Sequence, residues 1–122
     1  MKVEISLGEL VDKITILKIK LVEIKNEDKL INIQFEYDYL MQFYPEDDSI
    51  KNYFNQLFDV NYQLWKVEDK LRLLEEENKF DQEFIELARS VYILNDERAR
   101  IKKNINMNDG SKFIEEKSYK NM

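Results

Sequence analysis

Proline and glycine, the residues that break helices, are almost missing from this chain. Pro45 is the one proline, and Gly8 and Gly110 are the two glycines. Apolar residues recur at alternating three- and four-residue spacing along most of the length, the pattern of packed amphipathic helices. The 122 residues suffice for one domain with a real core. A few polar side chains interrupt the apolar stripes: Lys18, Asn61, Glu68, Asn95 and Arg98. A charge or amide in a core stripe is costly unless paired, so these interruptions are the leads to function.

Ser6-Leu7-Gly8-Glu9 matches a capping box, with Ser6 as N-cap and Glu9 reaching back to it. Leu7, Leu10, Ile14, Leu17, Leu21 and Ile24 then form the stripe of a first helix, with Ile16 and Ile19 on its other side. Asn26 to Asp28 read as a turn. A second helix carries Leu30, Ile33, Tyr37, Leu40 and Tyr44, and Pro45 with Glu46-Asp47-Asp48 ends it. A third begins near Asp48 or Ser49 and runs to about Asn78. A fourth, with Asp81 as N-cap and Phe80 stapled onto Ile85, runs to about Asn104.

Short connections favour antiparallel neighbours. The expected fold is therefore all-α: an antiparallel up-down-up-down bundle of about four helices, with residues 1–6 as a lead-in and 106–122 as a short C-terminal tail. The first two helices should be about 25 Å long and the last two about 35–45 Å, at 1.5 Å per residue. The first hairpin cannot cover the second, so either the tail or a second subunit covers the overhang. A homodimer is the expectation.

Histidine and cysteine are both absent. That removes the imidazole base, the thiol nucleophile, disulfides and zinc sites built from either residue. No cofactor and no metal site is expected. The i, i+3 carboxylate pairs Glu9/Asp12 and Glu83/Glu86 have the spacing that helical nucleotide pyrophosphohydrolases use for Mg, but in so acidic a chain they read as solvated faces. No apolar run is long enough to span a membrane or to make a signal peptide, so the chain reads as cytoplasmic, with no membrane partner.

The net charge of −6 is concentrated: Glu27 to Asp48 carries seven acidic residues against Lys29 alone. Such a chain is not expected to bind nucleic acid, which needs clustered Lys and Arg. Arg98, Arg100, Lys102 and Lys103 do cluster, but read as the complement of a helix C-terminus.

On the third helix Asn61, Trp65, Glu68 and Arg72 follow at i, i+4, i+7 and i+11. In an antiparallel hairpin turning near Lys79, Asn61 lies level with Arg98, and Trp65 with Leu94 and Asn95. The candidate binding residues are thus Lys18, Asn61, Trp65, Glu68, Asn95 and Arg98. They fit either a satisfied structural network, with Glu68 accepting from Lys18 or Arg98, or a pocket for a small phosphate- or carboxylate-bearing molecule. The helical chorismate mutases use similar groups inside helices, but their N-terminal Arg spacing is missing here, since the first Arg is Arg72. No catalytic residue is assigned.

Ser6-Leu7-Gly8-Glu9-Leu10-Val11-Asp12-Lys13-Ile14-Thr15-Ile16-Leu17-Lys18-Ile19-Lys20 resembles the opening of a small family of uncharacterised bacterial and phage proteins, a domain of unknown function. Leu64-Trp65, Glu68-Asp69, Phe84 to Tyr92, Asn95-Asp96, Arg98-Ala99, Gly110-Ser111 and Glu115-Glu116-Lys117-Ser118-Tyr119 fit the same pattern. The resemblance implies a family member of bacterial or phage origin, transfers no activity, and implies that the polar tail packs back.

Two functions follow as expectations. The first is a non-enzymatic protein-interaction module acting as a homo-oligomer, since Ile16, Ile19, Phe35, Tyr39 and Phe43 offer more apolar surface than one small bundle needs. The alternative is a binder of, or enzyme on, a small anionic metabolite, with Lys18 and Arg98 on the anion, Trp65 stacking and Glu68 as acid or base.

Overall fold

The computed structural model describes residues 1–109. Four helices follow one another: α1 (Leu7–Glu23), α2 (Glu27–Met41), α3 (Asp48–Glu76) and α4 (Gln82–Asp109). They pack against one another as an all-α bundle, with no strand among the described residues.

Local chemistry sets the helix ends. Ser6 caps α1 by accepting from the Glu9 amide at 3.2 Å, and Asn26 caps α2 by accepting from the Lys29 amide at 3.0 Å. The other half of the expected capping box does not form, because the Glu9 carboxylate turns to Lys102. Asp47 caps α3, its Oδ1 accepting from both the amide and the hydroxyl of Ser49 at 2.9 Å. Those bonds, the amide's first, hold the Asp47 carboxyl below its ordinary range.

The α3–α4 turn is a Schellman motif. Asn78 adopts φ 56°, the Asn78 amide donates to the Glu75 carbonyl at 3.1 Å, and the Lys79 amide to the Leu74 carbonyl at 2.9 Å. α3 therefore stops at Glu76 rather than Asn78. Phe80 packs edge-to-face on Phe84, ring centres 5.2 Å apart, and not on Ile85, which stays exposed.

α4 outruns its expected end at Asn104 and continues to Asp109. Ile105 and Asn106 are buried, so the segment assigned to a tail from residue 106 begins as helix. The remaining tail, with Phe113, Ile114 and Glu115 to Tyr119, lies outside the described residues.

The core is a three-helix one. Val11 of α1 meets Ile50, Leu57, Val60 and Leu64 of α3 and Ile101 and Ile105 of α4. α2 touches α1 alone and buries none of its own residues. α1 accordingly carries two inward lines. Leu10, Ile14 and Leu17 are buried on the side toward α2. Gly8, Asp12, Thr15 and Ile19, at i, i+4, i+7 and i+11, are buried on the side toward α3 and α4. Ile19, expected on the outer side, is only 1% exposed, and Ile16 is half-buried.

At 17 and 15 residues α1 and α2 are far shorter than α3 and α4, at 29 and 28. The hairpin of α3 and α4 outreaches α1 by roughly 15–20 Å at 1.5 Å per residue. α1 crosses α3 rather than running alongside it: Asp12 bonds Asn61, and Glu23 in the last turn of α1 accepts from the hydroxyl of the neighbouring Tyr62.

Candidate functional site

Asp12 is the centre of the polar cluster. It sits one turn beyond Gly8 on the inward line of α1, and its side chain is 3% exposed. Arg98 of α4 grips both carboxylate oxygens, Nε to Oδ1 at 2.8 Å and Nη2 to Oδ2 at 2.5 Å. This is the bidentate fork-on-carboxylate geometry that guanidinium favours. Asn61 of α3 donates from Nδ2 to Asp12 Oδ1 at 2.9 Å and to Thr15 Oγ1 at 2.8 Å. The Thr15 hydroxyl passes its own proton back to the Asp12 carbonyl at 2.6 Å. One buried carboxylate thus ties three helices together.

Two further contacts extend the seam between α1 and α4. Lys102, buried, pairs with Glu9. Asn106 Oδ1 accepts from the Gly8 amide at 2.7 Å. Glu9 and Asp12, three apart, meet Lys102 and Arg98, four apart, so carboxylates and cations match rung for rung between antiparallel helices. A Cβ on Gly8 would lie 2.6 Å from the Lys102 carbonyl oxygen and 2.8 Å from Asn106 Oδ1, so the close approach requires glycine. The basic cluster of α4 therefore does not sit at a helix C-terminus. Arg98 and Lys102 lie two or more turns inside α4 and face α1.

Of the candidate residues, Asn61 and Arg98 converge on Asp12 Oδ1, at the common level their hairpin register predicts. Asn95 joins more loosely, its Oδ1 accepting from Arg98 Nη1 at 3.5 Å. Lys18 goes elsewhere. It is exposed, and its ammonium lies over the Phe54 and Phe58 rings, 5.4 and 6.0 Å from their centres. Glu68 is exposed and pairs with Arg72 at 3.9 Å rather than with Lys18 or Arg98. Trp65 is half-buried.

Sequence reasoning missed Asp12, Thr15, Lys102 and Asn106. The signal for Asp12 and Thr15 was the Gly8–Asp12–Thr15–Ile19 line, a second stripe on a helix that was already apolar nearly all round.

Among the described residues no buried side-chain nitrogen or oxygen lacks a hydrogen-bond partner. None of their carboxylates group in threes as a metal would need. Asp12 already fills the Arg98 fork that an external carboxylate or phosphate would use. The cluster is built to hold α1 against the hairpin.

The stripes that hold α1 continue past it. Asn61, Trp65, Glu68 and Arg72 share one line of α3, and Arg98, Asn95, Val91, Ala88 and Phe84 one line of α4. Where α1 no longer lies between them, they border an open groove of about 440 Å³ lined by Leu71, Arg72, Glu75, Glu76 and Phe84. Phe80, just before α4, and Ile85, Tyr92 and Ile93 on it are exposed. No described helix is long and apolar enough to cross a membrane.

The chain belongs to DUF6165, a family of unknown function whose model matches residues 1–122. Comparison with curated proteins and with solved structures finds no match.

Proposed function

We propose that this chain is a cytoplasmic protein-interaction module that works as a homodimer, each copy covering the exposed half of the other's α3–α4 groove. The observation that carries the reading is the continuation of the α1-binding groove beyond the end of α1. Its apolar floor, Leu71 and Phe84, is edged along α3 by Arg72, Glu75 and Glu76 together. A two-fold axis through such a groove brings unlike charges of the two copies together, as an isologous interface needs. Exposed Ile85 and Tyr92 supply the apolar and aromatic contacts typical of an interface core. An anionic-ligand role for the polar cluster has less support, since Asp12 already occupies the Arg98 fork.

Light scattering tests the reading. The wild-type chain is expected at twice its 14.9 kDa mass. An Ile85→Glu/Tyr92→Glu variant is expected at the single-chain mass with unchanged helicity. A wild-type monomer at micromolar concentration refutes the proposal.

A further inference from the structure

α2 has two faces, and only one is used. Ile33, Tyr37 and Leu40 are half-buried on the side toward α1, while Glu36 reaches Lys13 of α1 at 3.4 Å. On the opposite side Ile31, Phe35 and Tyr39 recur every four residues and are 68%, 77% and 49% exposed. Phe43, just past the helix end, is 55% exposed and packs edge-to-face on Tyr39, ring centres 5.5 Å apart. An aromatic seam this open costs solubility and adds nothing to the core, which is the mark of a contact surface.

The charge around the seam selects the occupant. By helical period Asp28 and Asp38 flank Phe35 on the outer face, and Lys29 falls toward the α1 side. Glu46, Asp47 and Asp48 extend the acidity beyond the helix end. Between Glu27 and Asp48 the chain carries the whole of its −6 net charge, so the remaining residues sum to zero. A second copy docked α2 on α2 would set acids against acids, and anionic lipid is repelled for the same reason.

We infer that the outer face of α2 docks a basic amphipathic helix of a partner protein, its apolar stripe on Ile31, Phe35 and Tyr39 and its Lys or Arg residues on Asp28 and Asp38. This is helix-on-helix recognition with apolar anchors and complementary flanks. It extends the interaction-module reading but uses a different surface from the proposed dimer, so each can fail without the other.

The test uses the full chain and a labelled Leu/Lys amphipathic peptide of about five helical turns, with a Leu/Glu counterpart as control, followed by fluorescence anisotropy. Saturable binding of the Leu/Lys peptide is expected, with no binding of the Leu/Glu peptide. Phe35→Ser/Tyr39→Ser is expected to weaken binding at least about tenfold, the loss of one aromatic hot spot. Asp28→Asn/Asp38→Asn is expected to weaken it severalfold and to flatten its salt dependence. Both variants change exposed residues, and circular dichroism verifies their fold.

Three results would each overturn the inference. One is no binding by the full chain at about 100 µM peptide, a level that detects even weak complexes. Another is equal affinity for the two peptides or for the Phe35/Tyr39 variant. The last is a halved light-scattering mass in the Phe35/Tyr39 variant, which makes the seam a contact between copies. A wild-type chain that is monomeric by light scattering yet binds the Leu/Lys peptide refutes only the proposed dimer and leaves this inference standing.

Discussion

Replacing Gly8 by Ala would ordinarily stabilise a helix, by up to about 1 kcal/mol in a helix interior. Here the opposite sign is expected. The new methyl would stand 2.6 Å from the Lys102 carbonyl oxygen and 2.8 Å from Asn106 Oδ1. The first of these atoms is backbone in the middle of α4 and cannot yield alone. Relief requires α1 and α4 to separate, an overpacking cost of about 1–3 kcal/mol. Separation also stretches the 2.7 Å bond from the Gly8 amide to Asn106, worth about 1 kcal/mol. The net expectation is a loss of about 1–3 kcal/mol, lowering the melting temperature by roughly 4–12 °C for a chain of this size. Thermal and urea denaturation followed by far-UV circular dichroism reads this directly. In an Asn106→Ala background the same substitution should cost less but still destabilise, because the carbonyl contact persists. A Gly8→Ala protein as stable as wild type, or more so, refutes the close α1–α4 approach.

Asp12→Ala should cost about 3–5 kcal/mol in urea denaturation, because it strips the partner from a partly buried guanidinium. By contrast Asp12→Leu/Arg98→Met should lie near wild-type stability, since apolar replacement of a whole buried pair is often neutral. Asn78→Gly should raise stability by a few tenths to about 1 kcal/mol, because glycine adopts φ 56° without strain. Tyr62 should titrate above its ordinary 10.0 in an ultraviolet pH titration, chiefly because its hydroxyl donates to Glu23. With the folded value raised, that stabilisation is complete below pH 10 and lost as pH climbs through the folded value. Tyr62→Phe should remove that part of the alkaline destabilisation.

Helix number, order and most boundaries were legible because each helix has a strong periodic stripe and a recognisable cap. Asn61 and Arg98 were legible for the same reason: each replaces an apolar residue on a stripe, and the hairpin register put them level. Lys18 misled because α1 has two inward stripes, and periodicity on an almost wholly apolar helix does not say which gap stays open. Its place proved to be the cleft over Phe54 and Phe58, where a long side chain reaches water. Asp12 hid among 25 acidic residues. Its position is betrayed only by Gly8, Thr15 and Ile19 on the same line, and its partner lies 86 residues away, beyond the reach of local pattern. The C-terminal boundary was missed because Asn106 reads as a turn former unless its bond to Gly8 is known.

The bond between Gly8 and Asn106 also has a temporal side. It spans 98 residues, and the Asp12–Arg98 clasp spans 86. During synthesis from the N-terminus, α1 meets α2 and α3 well before Arg98, Lys102 and Asn106 of α4 are made. The α3–α4 hairpin, by contrast, closes over a short turn and needs only its own two arms. A nascent chain therefore carries α1 with its α4-facing line of Gly8, Asp12 and Thr15 uncovered until the last turns of α4 have been made. A stalled or truncated product ending before Arg98 is the form of this protein most exposed to aggregation.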